Sequence, residues 1–226
     1  MKNNTQKIVT IDGPSGVGKS TISRRVAASL SFTYLDTGAM YRAVGYKLQA
    51  DNINLSDETA VQQSLATISL QLLPAATEND EVSVILDGQD ISLAIRSPEM
   101  SMLASKVSAI PAVRTKLTRM QQEIGQKGSI VAEGRDTGTV VFPAAAWKFY
   151  LDADPQERMR RRAAQLRLAG KDVDEEELLQ MIIKRDHDDQ SRSIAPLCKA
   201  DDAVTVDTSS LTIDEVVEEM LGRVDS

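Results

Sequence analysis

The run Gly13-Pro14-Ser15-Gly16-Val17-Gly18-Lys19-Ser20 lies between an apolar stretch and an amphipathic one, and that order leaves few folds open. Before it, residues 7–11 have the β-branched make-up of a buried strand; after it, residues 21–30 carry apolar side chains at helical spacing. A strand joined to a helix through a glycine-rich turn is a building unit of a parallel sheet covered by helices. The turn matches G-x-x-x-x-G-K-[ST], in which glycines let successive N–H groups face inward around anionic oxygens. The helix N-terminus behind it adds partial positive charge. Residues Gly13 to Thr21 therefore read as a cradle for the phosphates of a nucleoside triphosphate. Lys19 would reach the β- and γ-phosphates, and the Ser20 hydroxyl would ligate Mg²⁺.

The rest of the chain alternates strands with helical stretches. Strand patterns recur at residues 32–35, 129–132, 148–151 and 203–206, and each ends in polar residues or glycine: Asp36, Glu133-Gly134-Arg135-Asp136, Asp152 and Asp207. The expected fold is α/β, with a five-stranded parallel sheet of the P-loop type flanked by helices, and ligands bound beyond the carboxyl ends of the strands. Between about residues 54 and 96 the alternation breaks. Residues 67–72 and 82–86 show period-two patterning, and Asp87-Gly88 reads as a hairpin turn into residues 90–92, so a small antiparallel insert is expected. Helices are expected from Pro98 to about 109 and from Pro111 to about 126. Thr212-Ile213-Asp214-Glu215 is a capping box that opens the last helix.

Bulk properties narrow the partners. The net charge of −7 argues against broad binding to nucleic acid, so an acidic protein that holds phosphates must concentrate arginine locally. No apolar run approaches the length of a membrane span, and Met1–Gln6 leads into a strand without the make-up of a signal peptide. The single cysteine, Cys198, cannot form an intrachain disulfide and fits a reducing cytoplasm. A chain of 226 residues can bury a large core, and no linker divides it.

A phosphate loop alone does not choose a reaction. D-x-x-G, expected of a GTPase, is absent, and the nearest match to a guanine motif, Cys198-Lys199-Ala200-Asp201, lacks the required first residue. L-S-G-G-Q, expected of an ABC-type ATPase, is absent too, and Phe149-Tyr150-Leu151-Asp152 reads as a core strand rather than a metal-positioning one. Arginine is plentiful instead: Arg42, Arg114, Arg135, Arg185 and Arg192 fall at positions expected to face the cleft. Such a set suits two phosphorylated ligands meeting end to end, because phosphoryl transfer needs in-line positioning and charge neutralisation more than covalent help. A phosphate acceptor is largely dianionic near neutral pH and needs no general base. His187, flanked by Asp186 and Asp188, accordingly reads as a surface residue. A kinase for another small acceptor, such as UMP or shikimate, stays open at this point, as does a nucleotide-binding switch.

Four blocks narrow the choice: residues 11–21, Leu35-Asp36-Thr37-Gly38-Ala39-Met40-Tyr41-Arg42, residues 133–143, and Arg192-Ser193-Ile194-Ala195-Pro196-Leu197. Together with the insert of about forty residues, they resemble the bacterial cytidylate kinases over essentially the whole chain. The resemblance implies transfer of the γ-phosphoryl of ATP to CMP, and to dCMP, with Mg²⁺, in a cytoplasmic monomer with no nucleic-acid or membrane partner. It implies that Thr37, Arg42, Arg135 and Arg192 hold the CMP phosphate. Arg114 and Asp136, helped by Ser105, would read cytosine, and Arg185 and Asp189 would bind the sugar. Lys19 and Arg135 would act on the transferred group, as would lid arginines drawn from Arg158, Arg161 and Arg162, which share a helix face; Arg160 and Arg167 would be solvated. Gly170 would hinge or cap the lid helix. The implied organisation is one kinase domain. Its core is approximately 1–36, 129–153 and 172–226, the monophosphate-binding region with the insert approximately 37–128, and the lid approximately 154–171.

Overall fold

The computed structural model describes residues 7–74 and 81–224, so Met1–Gln6 lies outside the described residues. The chain runs β1 (Ile8–Asp12), α1 (Lys19–Leu30), β2 (Thr33–Asp36), α2 (Thr37–Ala50), α3 (Glu58–Thr67), β3 (Leu70–Leu73), β4 (Ser83–Leu86) and β5 (Gln89–Asp90). It continues through α4 (Pro98–Val107), α5 (Pro111–Gly125), β6 (Ile130–Gly134), β7 (Trp147–Asp152), α6 (Pro155–Leu168), α7 (Glu175–Gln190), β8 (Val204–Asp207) and α8 (Ile213–Val224). The main sheet has the order β2-β6-β1-β7-β8 and every pair in it is parallel. The second sheet, β3-β4-β5, is antiparallel.

Side-chain alternation divides the core into two layers. Val9, Ile11, Val131, Phe149, Leu151 and Val206 face α1 and α8, whose Ile22, Val26, Val216 and Met220 complete that cluster. Leu35, Ile130 and Ala132 face the other way, toward α2, α3, α5 and the insert, through Met40, Val44, Leu48, Val61 and Leu117. Burying each such side chain contributes about 2 kcal/mol. On β1, Thr10 and Asp12 point away from the α1 layer, and Asp12 is buried beside the turn that follows β6. A third, small cluster of Met159, Ala163 and Ile182, with Val173, Leu178 and Leu179, joins α6 to α7.

The five parallel strands, the antiparallel insert and its Asp87-Gly88 turn match expectation; Asp87 (φ 49°) and Gly88 (φ 82°) both adopt the positive angles of a tight hairpin. The segment before the insert differs. Residues 67–72 were expected to be a strand, but Thr67 closes helix α3 and pairing starts at Leu70. Asp57 caps α3 by accepting from Ala60 N at 2.9 Å, and Val61 and Leu65 bury at i, i+4, so the helix outcompetes local alternation. Helix α6 ends as expected at Gly170, whose φ of 73° permits Gly170 N to donate to Arg167 O and Lys171 N to donate to Leu166 O. The capping box also forms, Glu215 N donating to Thr212 Oγ1 and Thr212 N to Glu215 Oε2.

Gly13 is where β1 leaves the sheet. Its φ is +150°, and a Cβ there would lie 2.1 Å from Leu151 O on β7. Gly13→Ala must push the phosphate loop off β7, and we expect about 3 kcal/mol of lost stability. Thermal unfolding should show a clear drop in Tm, and calorimetry should show nucleotide binding lost with it.

Candidate active site

Parallel register brings the strand tips level: Asp36 opposite Glu133, and Asp12 opposite both Gly134 and Tyr150. Beyond these tips lies a cavity of about 640 Å³. Its wall holds Ser15, Gly16, Gly18, Lys19, Ser20 and Thr21 from the phosphate loop and α1, and Thr37, Arg42, Ser105, Arg114, Arg135, Asp136, Arg185, Asp189 and Arg192 from elsewhere. Val17 is buried in the core behind the loop.

The loop is built for an anion. Gly16 and Gly18 take φ of 86° and 91°, and α1 begins with no side-chain cap and no acidic residue in its first turn. Helices α2, α3, α4, α6 and α7 each have an Asp or Ser cap, whereas α1 and α5 have none. Of these two, α1 has its first turn on the cavity wall, where its free N–H groups suit an anion. Lys19 Nζ donates to Pro14 O, folding back over the loop. Burial, then the nearby Arg135, hold Lys19 well below the usual lysine range, although Glu133 and Asp12 oppose them.

The arginines converge on the same space. Arg135 Nε donates to Asp189 at 2.9 Å, Arg185 Nη1 donates to Ser15 Oγ at 3.2 Å, and Arg42 Nη2 donates to Asp36 at 3.1 Å. Arg192 Nη1 donates to Ser108 Oγ at 2.6 Å. Yet Arg42 Nε, Arg185 Nε, and both Nε and Nη2 of Arg192 are buried without a hydrogen-bond partner. Burial, then the charge of Arg135, bring Arg185 down to about 10, and burial lowers Arg192 as well. These cations sit where negative charge is short. Burial also works against the charge on Asp189, but Arg135, Arg185 and Arg192 outweigh it and hold its carboxyl below the usual range.

Arg185 and Asp189 both line the cavity: Asp189 is 3% exposed and bonds Arg135 and Ser105, while Arg185 reaches across to the phosphate loop. One placement departs from expectation. Arg158 does not line the cavity. It is 3% exposed and runs beneath the loop, donating to Ser15 O and Ala153 O at 3.0 Å and pairing with Asp186 at 2.6 Å. A shared helix face therefore did not mean a shared target, because the first turn of α6 packs under Gly16. Arg161 and Arg162 do line the cavity, with Arg161 held by Thr208 and Ser209. Arg160 and Arg167 point to solvent and pair with Glu157 and Glu175. His187 is exposed, and Asp152 lies at a separate groove with Asp186 and Asp207.

Three cavity residues were not singled out from sequence. Glu133 is buried, accepts from Tyr34 Oη at 2.5 Å, and leaves Oε2 without a partner. Burial, then Asp36, raise its carboxyl, against Lys19 and the nearby hydroxyl of Ser20. Tyr41 places its ring 5.6 Å from the guanidinium of Arg114, which also bonds Ser108 O and Asp136. Arg24 lines the wall from α1 with a buried, unpaired Nε. The place of Glu133 at a strand tip was the available signal; Tyr41 and Arg24 had only helical spacing.

A family model described as cytidylate kinase matches residues 9–226. A cytidylate kinase of Carboxydothermus hydrogenoformans is 46% identical over 213 residues, covering 94% of this chain and 95% of that one. One from Vibrio cholerae is 45% identical, covering 97% and 96%. A bifunctional pantoate ligase/cytidylate kinase of Synechococcus elongatus is 45% identical over 95% of this chain and 41% of its own length. Among solved structures, a shikimate kinase from Bacteroides thetaiotaomicron has a TM-score of 0.50 at 11% identity, covering 97% of this chain and 99% of that one, a likeness of fold alone.

Asp189 neutralises a cluster of buried guanidinium groups, and its lowered carboxyl contributes stability above its ordinary value of 3.8 that is lost as pH falls through the folded value. Asp189→Asn should cost about 3 kcal/mol, by leaving those charges uncompensated. Thermal melts should show that loss at neutral pH and a shallower decline in acid than in the wild type.

Proposed function

Given that the chain belongs to the cytidylate kinase family, we propose that this cavity is where the γ-phosphoryl of ATP passes to CMP, giving ADP and CDP. The observation that carries the site assignment is the set of buried guanidinium N–H groups on Arg42, Arg185 and Arg192 that lack acceptors and line one wall with Lys19. Each unpaired buried donor costs about 1–3 kcal/mol, and phosphate oxygens are the acceptors that fit.

In this reading, residues Gly13 to Thr21 wrap the triphosphate of ATP, and Lys19 exchanges Pro14 O for a phosphate oxygen. Thr37, Arg42, Arg135 and Arg192 hold the CMP phosphate. One of its oxygens attacks the γ-phosphorus as the bond to the bridging β–γ oxygen breaks, and the electron pair leaves on ADP. CMP arrives as a dianion, so no proton has to be removed. Arg135, Arg161 and Arg162 neutralise charge on the moving group, and Arg185 ties the two halves together through Ser15. Arg158 supports the loop from below.

The donor set suits Mg²⁺. Ser20 offers a hydroxyl at the start of α1, and Glu133 brings a carboxylate near it from the end of β6. Mg²⁺ keeps several waters and takes few protein ligands, so one hydroxyl and a nearby carboxylate are enough from the protein. When bound it would screen charge between the β- and γ-phosphates, with Ser20 as the direct ligand and Glu133 beside it.

Base choice falls to Arg114 and Asp136. Cytosine carries acceptors at N3 and O2 beside an amino donor at N4, and a paired guanidinium and carboxylate answer that pattern. Uracil reverses the edge and would leave buried partners unmatched. Ser105 helps Asp136 at the base, Arg185 and Asp189 bind the sugar, and dCMP is accepted alongside CMP. Residues approximately 154–171 act as the lid, packed on α7, beside a monophosphate-binding region of approximately 37–128. The proposal includes a cytoplasmic monomer acting on free nucleotides. The net charge of −7 supports the exclusion of nucleic acid, and among the described residues no helix is long and apolar enough to cross a membrane.

Coupled ADP release across CMP, dCMP, UMP, AMP, GMP and shikimate tests the acceptor. CMP and dCMP should give turnover far above the rest, and equal rates with shikimate would refute the assignment. Arg135→Ala should lower kcat at least a hundredfold while ATP binding by calorimetry changes less than threefold. Equal losses in both would remove Arg135 from the transfer.

A further inference from the structure

Two aspartates at the strand tips divide one task. Asp136 occupies the N-cap position of a π-helical turn, Thr137–Val141, yet its side chain makes no capping hydrogen bond. Its carboxylate is turned to Arg114 instead. The first N–H groups of such a turn have no partner within it, and here they are buried. Asp12 supplies the acceptors from the end of β1. Its Oδ1 accepts from Thr137 N at 2.9 Å and from Thr137 Oγ1 at 2.8 Å, and its Oδ2 accepts from Gly138 N at 2.7 Å.

The fit leaves no slack. A Cβ on Gly138 would lie 2.8 Å from Thr10 Oγ1, and one on Gly134 would lie 2.7 Å from both Thr137 Cγ2 and Thr37 Oγ1. The main chain of Asp12 runs directly into Gly13, so one residue carries the phosphate loop on its backbone and the turn on its side chain.

We infer that Asp12 is a positioning residue: it caps the 137–141 turn from a different strand, which releases Asp136 to face Arg114 and the base of CMP. This rests on the reading of Asp136 as the residue that accepts from cytosine. Without Asp12, the buried N–H groups of Thr137 and Gly138 need another acceptor, and Asp136 stands at the cap position that provides one. An Asp136 that turns back to cap its own turn leaves Arg114 and the cytosine amino group.

The capping carboxylate is sensitive to pH. Burial raises it to about 6, with Asp136 adding to that, against the hydrogen bonds from Gly138 and Thr137. Lys19 on α1, Tyr150 and Lys148 on β7, Glu133 and Arg135 at the end of β6, and Asp136 on the turn are the charged and titratable groups around it. Protonated Asp12 loses an acceptor and meets an N–H with an O–H. Glu133 is also raised, but it faces Lys19 and the phosphate loop, so its proton weighs on CMP and UMP alike.

The test is the ratio of kcat/KM for CMP to that for UMP, in which phosphate protonation cancels, measured with Asp12→Asn, Thr137→Val and Asp136→Ala. For Asp12→Asn the ratio should fall at least tenfold while KM for ATP stays within twofold. Thr137→Val, which removes one of the three bonds and keeps both N–H groups, should lower the ratio about threefold and carries the test if Asp12→Asn does not fold. In the wild type the ratio should fall as pH drops below about 6, and in Asp12→Asn it should be flat across that range. A merely structural role would lower Tm and weaken ATP and both monophosphates together, with the ratio unchanged, and that result overturns the inference. If Asp136→Ala leaves the ratio unchanged, the base reading fails and this inference with it. If Asp136→Ala collapses the ratio and neither of the other variants moves it, only the role of Asp12 is refuted.

Discussion

The central position of β1 governs the geometry of this protein. It is hydrogen-bonded in parallel to β6 on one side and β7 on the other, so its last residue sits level with Gly134 and Tyr150. Three consequences follow from that one register. Gly13 turns away over Leu151 O, the phosphate loop begins at a set height, and the carboxylate of Asp12 meets the turn after β6. The phosphate loop and the turn that follows Asp136 are thus held by the backbone and the side chain of one residue, and their spacing depends on sheet hydrogen bonds.

Electrostatics supplies what the sheet does not. An acidic chain assembles a pocket in which Lys19, Arg185 and Arg192 are all held below their ordinary protonation range, chiefly by burial. Such a cluster disfavours folding, and Asp189 offsets part of that cost by taking Arg135 directly and sitting near Arg192. A deficit of negative charge remains, visible as guanidinium N–H groups without acceptors, and on the proposed function two phosphorylated substrates supply it. Stability is given up locally where function requires it.

Helix α6 is rooted in the same arrangement. Arg158, at the start of α6, reaches the main chain of Ser15 and packs under Gly16, while Arg161 bonds the end of β8. Arg162 stands over the cavity itself. Three arginines within five positions thus serve as a strut, a tether and a wall. Their division follows from burial along one helix: the turn nearest the sheet is enclosed, and later turns open to the cleft.

Much of this was readable in one dimension. The strand–loop–helix unit, the alternation of strands and helices and the hairpin at Asp87-Gly88 are local patterns, and local patterns report local backbone preference. The phosphate loop, Arg42, Arg135 and Arg192 lie within dense motifs, whereas Arg114 on α5 and Arg185 on α7 do not, and all of them line one cavity. Helix α3 was missed because a capped apolar i, i+4 pair and a strand-like alternation overlap near Thr67. The partners were not readable at all. That Asp189 takes Arg135 rather than Arg185, that Arg158 turns under the loop, and that Asp12 caps a turn 125 residues away are contacts between distant segments. The sequence by itself determined which elements form and which chemistry they carry. Tertiary structure alone decided which charge meets which, because pairing in a buried site depends on three-dimensional register and desolvation, and neither is written in the order of residues.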